Sequence, residues 1–385
     1  MSPLLIKNIG QIVSGDLTKS FSEGNAILIE NGKIQKVGRD LPEPEQVIDA
    51  QGMTLIPGLI DCHCHPVLGD WTPRQRALDW ISAYIRSGVT GLVSAGEVHL
   101  HGRPRDAQGC KALAILAYKT SQNYRPAGMK VYGGALILEP DATEEDIATC
   151  AKAGVSRIGE IGIGKANNPE IAGPMVHWAR KYGLKTMVHT GGTSLPGSAL
   201  MDADILLGIG ADVLCHLNGG CIPVPLEDMR RLVEETTAQL EIARIGNPKA
   251  AVELLKIARE RNEVHRIMIG NDAPSGMGLY PQGIWWVICL LSSLTGIAPE
   301  VAIALATGNT ARYYGWPVGM IKEGYAADVV LIDAPQGSQA DTALDAIKRG
   351  EIPGIDLVMI DGEILVADNP NSPPPKRRSL RSLHC

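Results

Sequence analysis

From about residue 58 to residue 317, short apolar runs alternate with amphipathic segments, a rhythm that predicts repeated βα units around a parallel sheet. Eight runs have strand character, near 59–63, 90–95, 130–137, 156–161, 185–189, 213–216, 239–245 and 266–270. Each is followed by a loop and usually by a helical pattern, with helices predicted over 74–86, 143–153, 169–182, 226–235 and 248–261. The second of these opens on Thr143-x-x-Asp146, a capping signature. Residues 299–314 read as one more, closing helix. The count of units predicts an α/β protein, a (β/α)8 TIM-type barrel.

The flanks have another texture. Leu4-Leu5-Ile6, Ala26-Ile27-Leu28-Ile29 and Ile34-Gln35-Lys36-Val37 are short strands, and Asn31-Gly32 between the last two is a hairpin signal. The same pattern returns at 327–332 and 357–366. Neither set can close a core alone, so the two ends are expected to complete one small β-sandwich. The predicted organisation is a discontinuous sandwich from 1–57 and 318–369 around a barrel at 58–317. Residues 370–385, proline-rich and then basic, are expected to form a flexible tail. The apolar stretch 283–291 fits either a barrel helix or a contact between subunits, and a homo-oligomer is expected.

Composition narrows the partners. With 45% hydrophobic and 20% charged residues the chain reads as soluble and globular, and a net charge of -6 leaves no basic footprint for nucleic acid. A small-molecule ligand is the expectation. No leader pattern opens the chain and no apolar run is long enough to span a bilayer, so a cytoplasmic location is expected. The eight cysteines lie inside predicted strands and helices and read as reduced thiols. Strand alternation is expected to turn both Cys62 and Cys64 outward if His63 and His65 point inward.

Candidate chemistry gathers where barrel strands end. His63 and His65 follow the first predicted strand, Glu160 ends the fourth, His189 the fifth, His216 the sixth, and Asp272 follows the eighth. In a parallel barrel these ends share one face. Four imidazoles and two carboxylates could hold two divalent ions, one carboxylate bridging them, with positions left for water. Such a mixed set suits Zn, Fe and Mn, with Zn the expected metal. His99 and His101 form a second His-x-His after the second strand, where His99 is a candidate substrate contact rather than a ligand.

This set resembles the amidohydrolase superfamily, metal-dependent hydrolases on a (β/α)8 barrel with a small sandwich from both chain ends. The resemblance is carried by Pro57-Gly58-Leu59-Ile60-Asp61-Cys62-His63-Cys64-His65, by the strand-end residues, and by Ala306-Thr307-Gly308-Asn309-Thr310-Ala311. It implies that His63 and His65 bind the more buried metal and His189 and His216 the other. It also implies that Asp272 is both ligand and general acid/base, and His216 is expected at the oxyanion as well. Many members bridge their metals with a carboxylated lysine; here Glu160 holds that position, and Lys165 reads as a loop residue. Stretches such as Gly69-Asp70-Trp71-Thr72-Pro73-Arg74, Gly102-Arg103-Pro104-Arg105 and Gly270-Asn271-Asp272-Ala273-Pro274 are similar to a branch that opens a carboxylated six-membered lactam in bacterial nicotinate breakdown.

The expected reaction is therefore hydrolysis of a cyclic amide, with Arg74, Arg103 and Arg105 as candidates to clamp a substrate carboxylate. Another cyclic amidase, acting on a hydantoin, imide or lactam, is the near alternative. A deaminase is disfavoured because His189-Thr190-Gly191-Gly192 lacks the glutamate that such enzymes commonly carry three residues after this histidine. A non-catalytic barrel scaffold is disfavoured by the complete set of six candidate ligands.

Overall fold

The computed structural model describes residues 2–66, 80–193, 200–220, 222–275, 278–370 and 372–382. The N-terminal part supplies β1 (Leu4–Lys7), β2 (Gln11–Ile12), β3 (Ala26–Glu30), β4 (Lys33–Gly38), β5 (Gln46–Asp49) and β6 (Thr54–Pro57). The middle supplies β7 (Leu59–Cys64), β8 (Val89–Ser94), β9 (Lys130–Tyr132), β10 (Ala135–Leu136), β11 (Arg157–Ile161), β12 (Lys185–Val188), β13 (Val213–Leu214), β14 (Gln239–Ala243) and β15 (Ile267–Gly270). The C-terminal part supplies β16 (Val329–Asp333), β17 (Gly354–Ile360), β18 (Glu363–Ala367) and β19 (Leu380–Ser382).

Both chain ends enter both terminal sheets, ordered β19-β5-β1-β3-β4 and β18-β17-β16-β6-β2. One apolar cluster spans them, with Ile6, Ile27 and Ile48 from the first sheet meeting Leu55, Val329, Leu331 and Leu357 from the second. The β3–β4 hairpin turns through Asn31 and Gly32, both at positive φ, which matches the right-handed twist of the strands they join. Where the sequence predicts a loose terminus, the structure corrects the expectation for residues 372–382. β19 pairs antiparallel with β5, and Arg377 donates from Nε to Asp333 Oδ2 at 2.9 Å. The basic run is held by carboxylates that lie far away in sequence.

The middle strands pair in parallel and in chain order, β7-β8-β9 and β10 through β15. β9 and β10 are one stretch of chain broken at Gly133-Gly134. Gly134 has φ +79, and a Cβ there would stand 2.5 Å from Tyr118 Cβ, so glycine lets the helix Ala107–Asn123 lie close. After β15 the chain returns to β7: Asp272 N–H donates to His63 O at 2.9 Å and His65 N–H to Ala273 O at 3.2 Å. β15 is buried on both faces, hence its continuous apolar run Ile267-Met268-Ile269.

Helix starts follow local chemistry. Thr143 and Asp146 form the expected capping box for Glu144–Ala153, and Asn168 and Asn247 cap the next helices of this kind. The predicted closing helix is two, Pro299–Leu305 and Gly308–Tyr314, parted at Thr307, whose φ of -136 and ψ of -93 leave the helical region. Residues 283–291 belong to the helix Gly283–Thr295, which buries Ile284, Trp285, Val287, Ile288 and Leu291 within the chain. Among the described residues no helix is long and apolar enough to cross a membrane.

β7 departs from simple alternation. Asp61 pairs with Leu92 and Cys64 with Ser94, so three steps on β7 oppose two on β8, a β-bulge. Cys62 consequently packs with Met187, Cys215 and Met268, and only Cys64 joins the helix-side core. The expectation that both thiols face outward is corrected by this extra residue, which aims His63 and His65 at the same place as strand ends across the sheet.

Candidate metal centre

The six strand-end residues expected as ligands converge. His63 and His65 come from the end of β7, Glu160 from β11, His189 from the residue after β12, and His216 and Asp272 from two residues past β13 and β15; all are buried. His63 Nε2 and His65 Nε2 lie 3.1 Å apart, with Asp272 Oδ1 at 3.0 Å from His65 Nε2 and 3.5 Å from His63 Nε2. On the other side His189 Nδ1 and His216 Nε2 are 3.1 Å apart. Glu160 joins the two groups. Its Oε1 stands 3.0 Å from His189 Nδ1 and 2.8 Å from His216 Nε2, and its Oε2 stands 3.5 Å from His65 Nε2 and 3.8 Å from His63 Nε2.

These atoms have the chemistry of ligands. His65 donates from Nδ1 to Gly96 O at 2.9 Å, and His189 from Nε2 to Gly192 O at 2.7 Å. A carbonyl can only accept, so a neutral ring is left with a lone pair on its other nitrogen. His63 Nδ1, 3.0 Å from Glu241, likewise leaves Nε2 bare. Lone pairs thus face one another between His63 and His65, and His189 faces a carboxylate oxygen. Such contacts repel unless positive charge lies among them, and an N,O donor set of this kind suits a divalent transition metal. The electrostatics agree: burial alone lowers the pKa of His63, yet Glu241 and Asp272 hold it well above 6.5. Burial alone would push the Asp272 carboxyl up, but His63, His65 and His216 pull it down to about 2.

The backbone is bent to reach this arrangement. His216 at φ 33 and Asp272 at φ 53 both occupy the left-handed side, a conformation that costs a non-glycine residue on the order of 1 kcal/mol or more. Asp61, next to the bulge, accepts from Asn271 N–H at 2.9 Å and from Asn271 Nδ2 at 2.7 Å, so β7 is tied to the segment that carries Asp272. Burial pushes the Asp61 carboxyl up to about 6. On the opposite side Gly270 presses on His63, where a Cβ would stand 2.9 Å from His63 Cβ.

The expected substrate residues fare differently. His99 sets its ring perpendicular to that of His65, centroids 4.6 Å apart, at the edge of the cluster. Arg105 is exposed, and Arg74 lies outside the described residues. Arg103 is buried: its side chain is 1% exposed and its Nη1 donates to the buried Glu139 at 3.0 Å, while its Nε and Nη2 have no hydrogen-bond partner among the described residues. Lys165 is exposed, in keeping with a loop residue. Sequence reasoning missed Glu139, the Asp61–Asn271 link and Glu241. Glu241 had a signal, a lone charge in the otherwise apolar Leu240-Glu241-Ile242 of a strand buried on both faces.

The amidohydrolase family model matches residues 54–365, most of the chain, and this protein belongs to that family. It is an amidohydrolase, a hydrolase of C–N bonds; the superfamily generally works with divalent metal ions, and the six-residue cluster offers a place for them. Its sequence is 46% identical to enamidase of Eubacterium barkeri across 98% of this chain and 99% of the relative. A crystal structure of enamidase, described as a member of the amidohydrolase superfamily, superposes with a TM-score of 0.95 at 45% identity, covering 99% of this chain and 100% of that one. An adenine deaminase of Listeria welshimeri is 26% identical over 91% of this chain, which spans 57% of that protein.

Proposed function

We propose that this chain hydrolyses the ring amide of a cyclic, carboxylate-bearing lactam of the tetrahydropyridone type, as an enamidase, at a centre of two divalent ions with Zn as the metal. The observation that carries the reading is Glu160, whose two carboxylate oxygens each face a different pair of imidazoles. In this reading β7 to β15 close a (β/α)8 barrel over 58–317, flanked by a sandwich from 1–57 and 318–369. His63, His65 and Asp272 would hold one ion and His189 and His216 the other, with Glu160 between them. Bound there, such ions would supply Lewis acidity that lowers the pKa of a water and polarises the amide carbonyl.

The protein supplies positioning and proton transfer. Asp272 reaches into the centre from a backbone held at φ 53, with Oδ1 beside His65 and Oδ2 4.0 Å from His216 Nε2. From there it takes the proton of the attacking water and hands it to the ring nitrogen, which leaves as a neutral enamine because an amide anion is a very poor leaving group. A ring amide keeps that nitrogen tethered near Asp272. His216 contacts the developing oxyanion, and His99 with Arg105 or Arg74 fixes the carboxylate at the rim.

The deaminase alternative is weakened by the residues after His189, where Thr190-Gly191-Gly192 offers no acid for an aminopurine ring. The test is metal analysis of the purified protein with a panel of a carboxylated tetrahydropyridone, a hydantoin, an imide and adenine. Two ions per chain with ring opening of the lactam is the expected result. A metal-replete protein that releases ammonia from adenine and leaves every cyclic amide intact overturns the proposal.

A further inference from the structure

The four imidazoles of the centre are held by unequal partners. Behind His65 and His189 stand the backbone carbonyls of Gly96 and Gly192, and His216 Nδ1 is buried with no hydrogen-bond partner among the described residues. Behind His63 stands a carboxylate. Both oxygens of Glu241 lie 3.0 Å from His63 Nδ1, and the residue is wholly buried beside the thiols of Cys62 and Cys215. Among the described residues its Oε1 has no hydrogen bond and no lysine or arginine pairs with it. Removing a carboxylate from water costs several kcal/mol unless opposite charge compensates it. The imidazole is the route by which positive charge on the far side of His63 can do so.

Resting on the two-ion reading above, we propose that Glu241 is a positioning residue for that centre. It fixes the Nδ1–H tautomer of His63, makes Nε2 a stronger donor, and so makes the position formed by His63, His65 and Asp272 the tightly held one. Among the described residues the position formed by His189 and His216 has no charged group behind its imidazoles, and its ion is the exchangeable one. Carboxylates behind ligating histidines typically change metal affinity by about 10–100-fold.

The inference is read from ion release by the purified holoenzyme under increasing chelator, with zinc counted per chain and cobalt absorption reporting the ligand field. Glu241→Gln keeps an acceptor for Nδ1–H and removes the charge. Glu241→Met fills the space beside Cys62, Cys215 and Met268 and removes both. Wild type is expected to release one ion early and hold the other. Glu241→Gln should loosen the held ion by about 10–100-fold, Glu241→Met should loosen it further, and the early ion should leave at the wild-type chelator concentration. Because Met replaces the carboxylate with an apolar side chain, its folding, checked by circular dichroism, keeps the comparison usable if Gln folds poorly. Folded variants that release both ions as wild type does, or that loosen the early ion instead, overturn the assignment. A wild-type protein that binds no divalent ion overturns the two-ion reading itself, a separate result.

Discussion

Replacing Glu160 by glutamine tests whether one carboxylate serves two ions. The substitution keeps shape and burial but turns one carboxylate oxygen into an NH2 group. In the structure Oε1 stands 3.0 and 2.8 Å from His189 and His216, and Oε2 stands 3.5 and 3.8 Å from His65 and His63. An amide can serve only one side with oxygen. The side that keeps Asp272 retains an anionic ligand, whereas among the described residues the His189–His216 side has Glu160 alone. Stripping the partner from a buried charge costs about 3–5 kcal/mol, which is about two to three and a half orders of magnitude in affinity. Glu160→Gln should therefore retain one ion per chain after dialysis, and Glu160→Ala should lose at least one and weaken both. Elemental analysis with isothermal titration of the dialysed proteins measures this. Two ions at wild-type affinity in Glu160→Gln, with metal loss in Lys165→Ala instead, would refute the bridge.

Asp272→Asn can still ligate through its amide oxygen but cannot shuttle a proton, so kcat should fall about 10²–10⁴-fold while much of the metal stays; near-normal turnover in a metal-replete variant removes the assigned role. Arg103 and Arg105 should separate by burial. Arg103→Ala, which strands Glu139, should cost about 3–5 kcal/mol of stability in a urea melt and leave the preference for an acid substrate over its carboxamide intact, whereas Arg105→Ala or Arg74→Ala should erase that preference without loss of stability. An Arg103 variant that loses only the acid preference would reverse this order. Asp361 supplies a pH test. Burial opposes its ionisation, but hydrogen bonds from Lys130 and Arg125 overcome it and hold the carboxyl below 3.8. Its stabilising contribution is complete above that value and is lost as pH falls through the lower folded-state pKa. Asp361→Asn should thus lower the urea midpoint near neutrality and converge with wild type in acid; a gap that does not narrow would mean that the ion pair contributes nothing.

Much of the site was legible because its signals are local. A strand end followed by His-x-His, and single His, Glu and Asp residues after other apolar runs, are visible from a few neighbouring positions. Parallel strands in chain order then force those ends onto one face. The Asn31-Gly32 turn and the Thr143 capping box were legible for the same reason, since each is satisfied within about four residues.

What the tertiary structure alone decided depends on partners that are remote in sequence. The bulge in β7 is a mismatch of register with β8, so no periodicity within β7 could show that Cys62 turns inward beside His63. Arg103 looked like a loop cation until the fold buried it against Glu139, 36 residues on. The basic tail looked frayed until Asp333 and β5 held it. Glu241 carried a signal that was passed over, a lone charge in an apolar strand, and its meaning required His63, 178 residues away. The sequence determined which chemical groups arrive at the centre, because strand periodicity and strand order are short-range properties. Which charges are free and which are already paired was decided by folding, since the cost of a buried charge depends on everything that surrounds it.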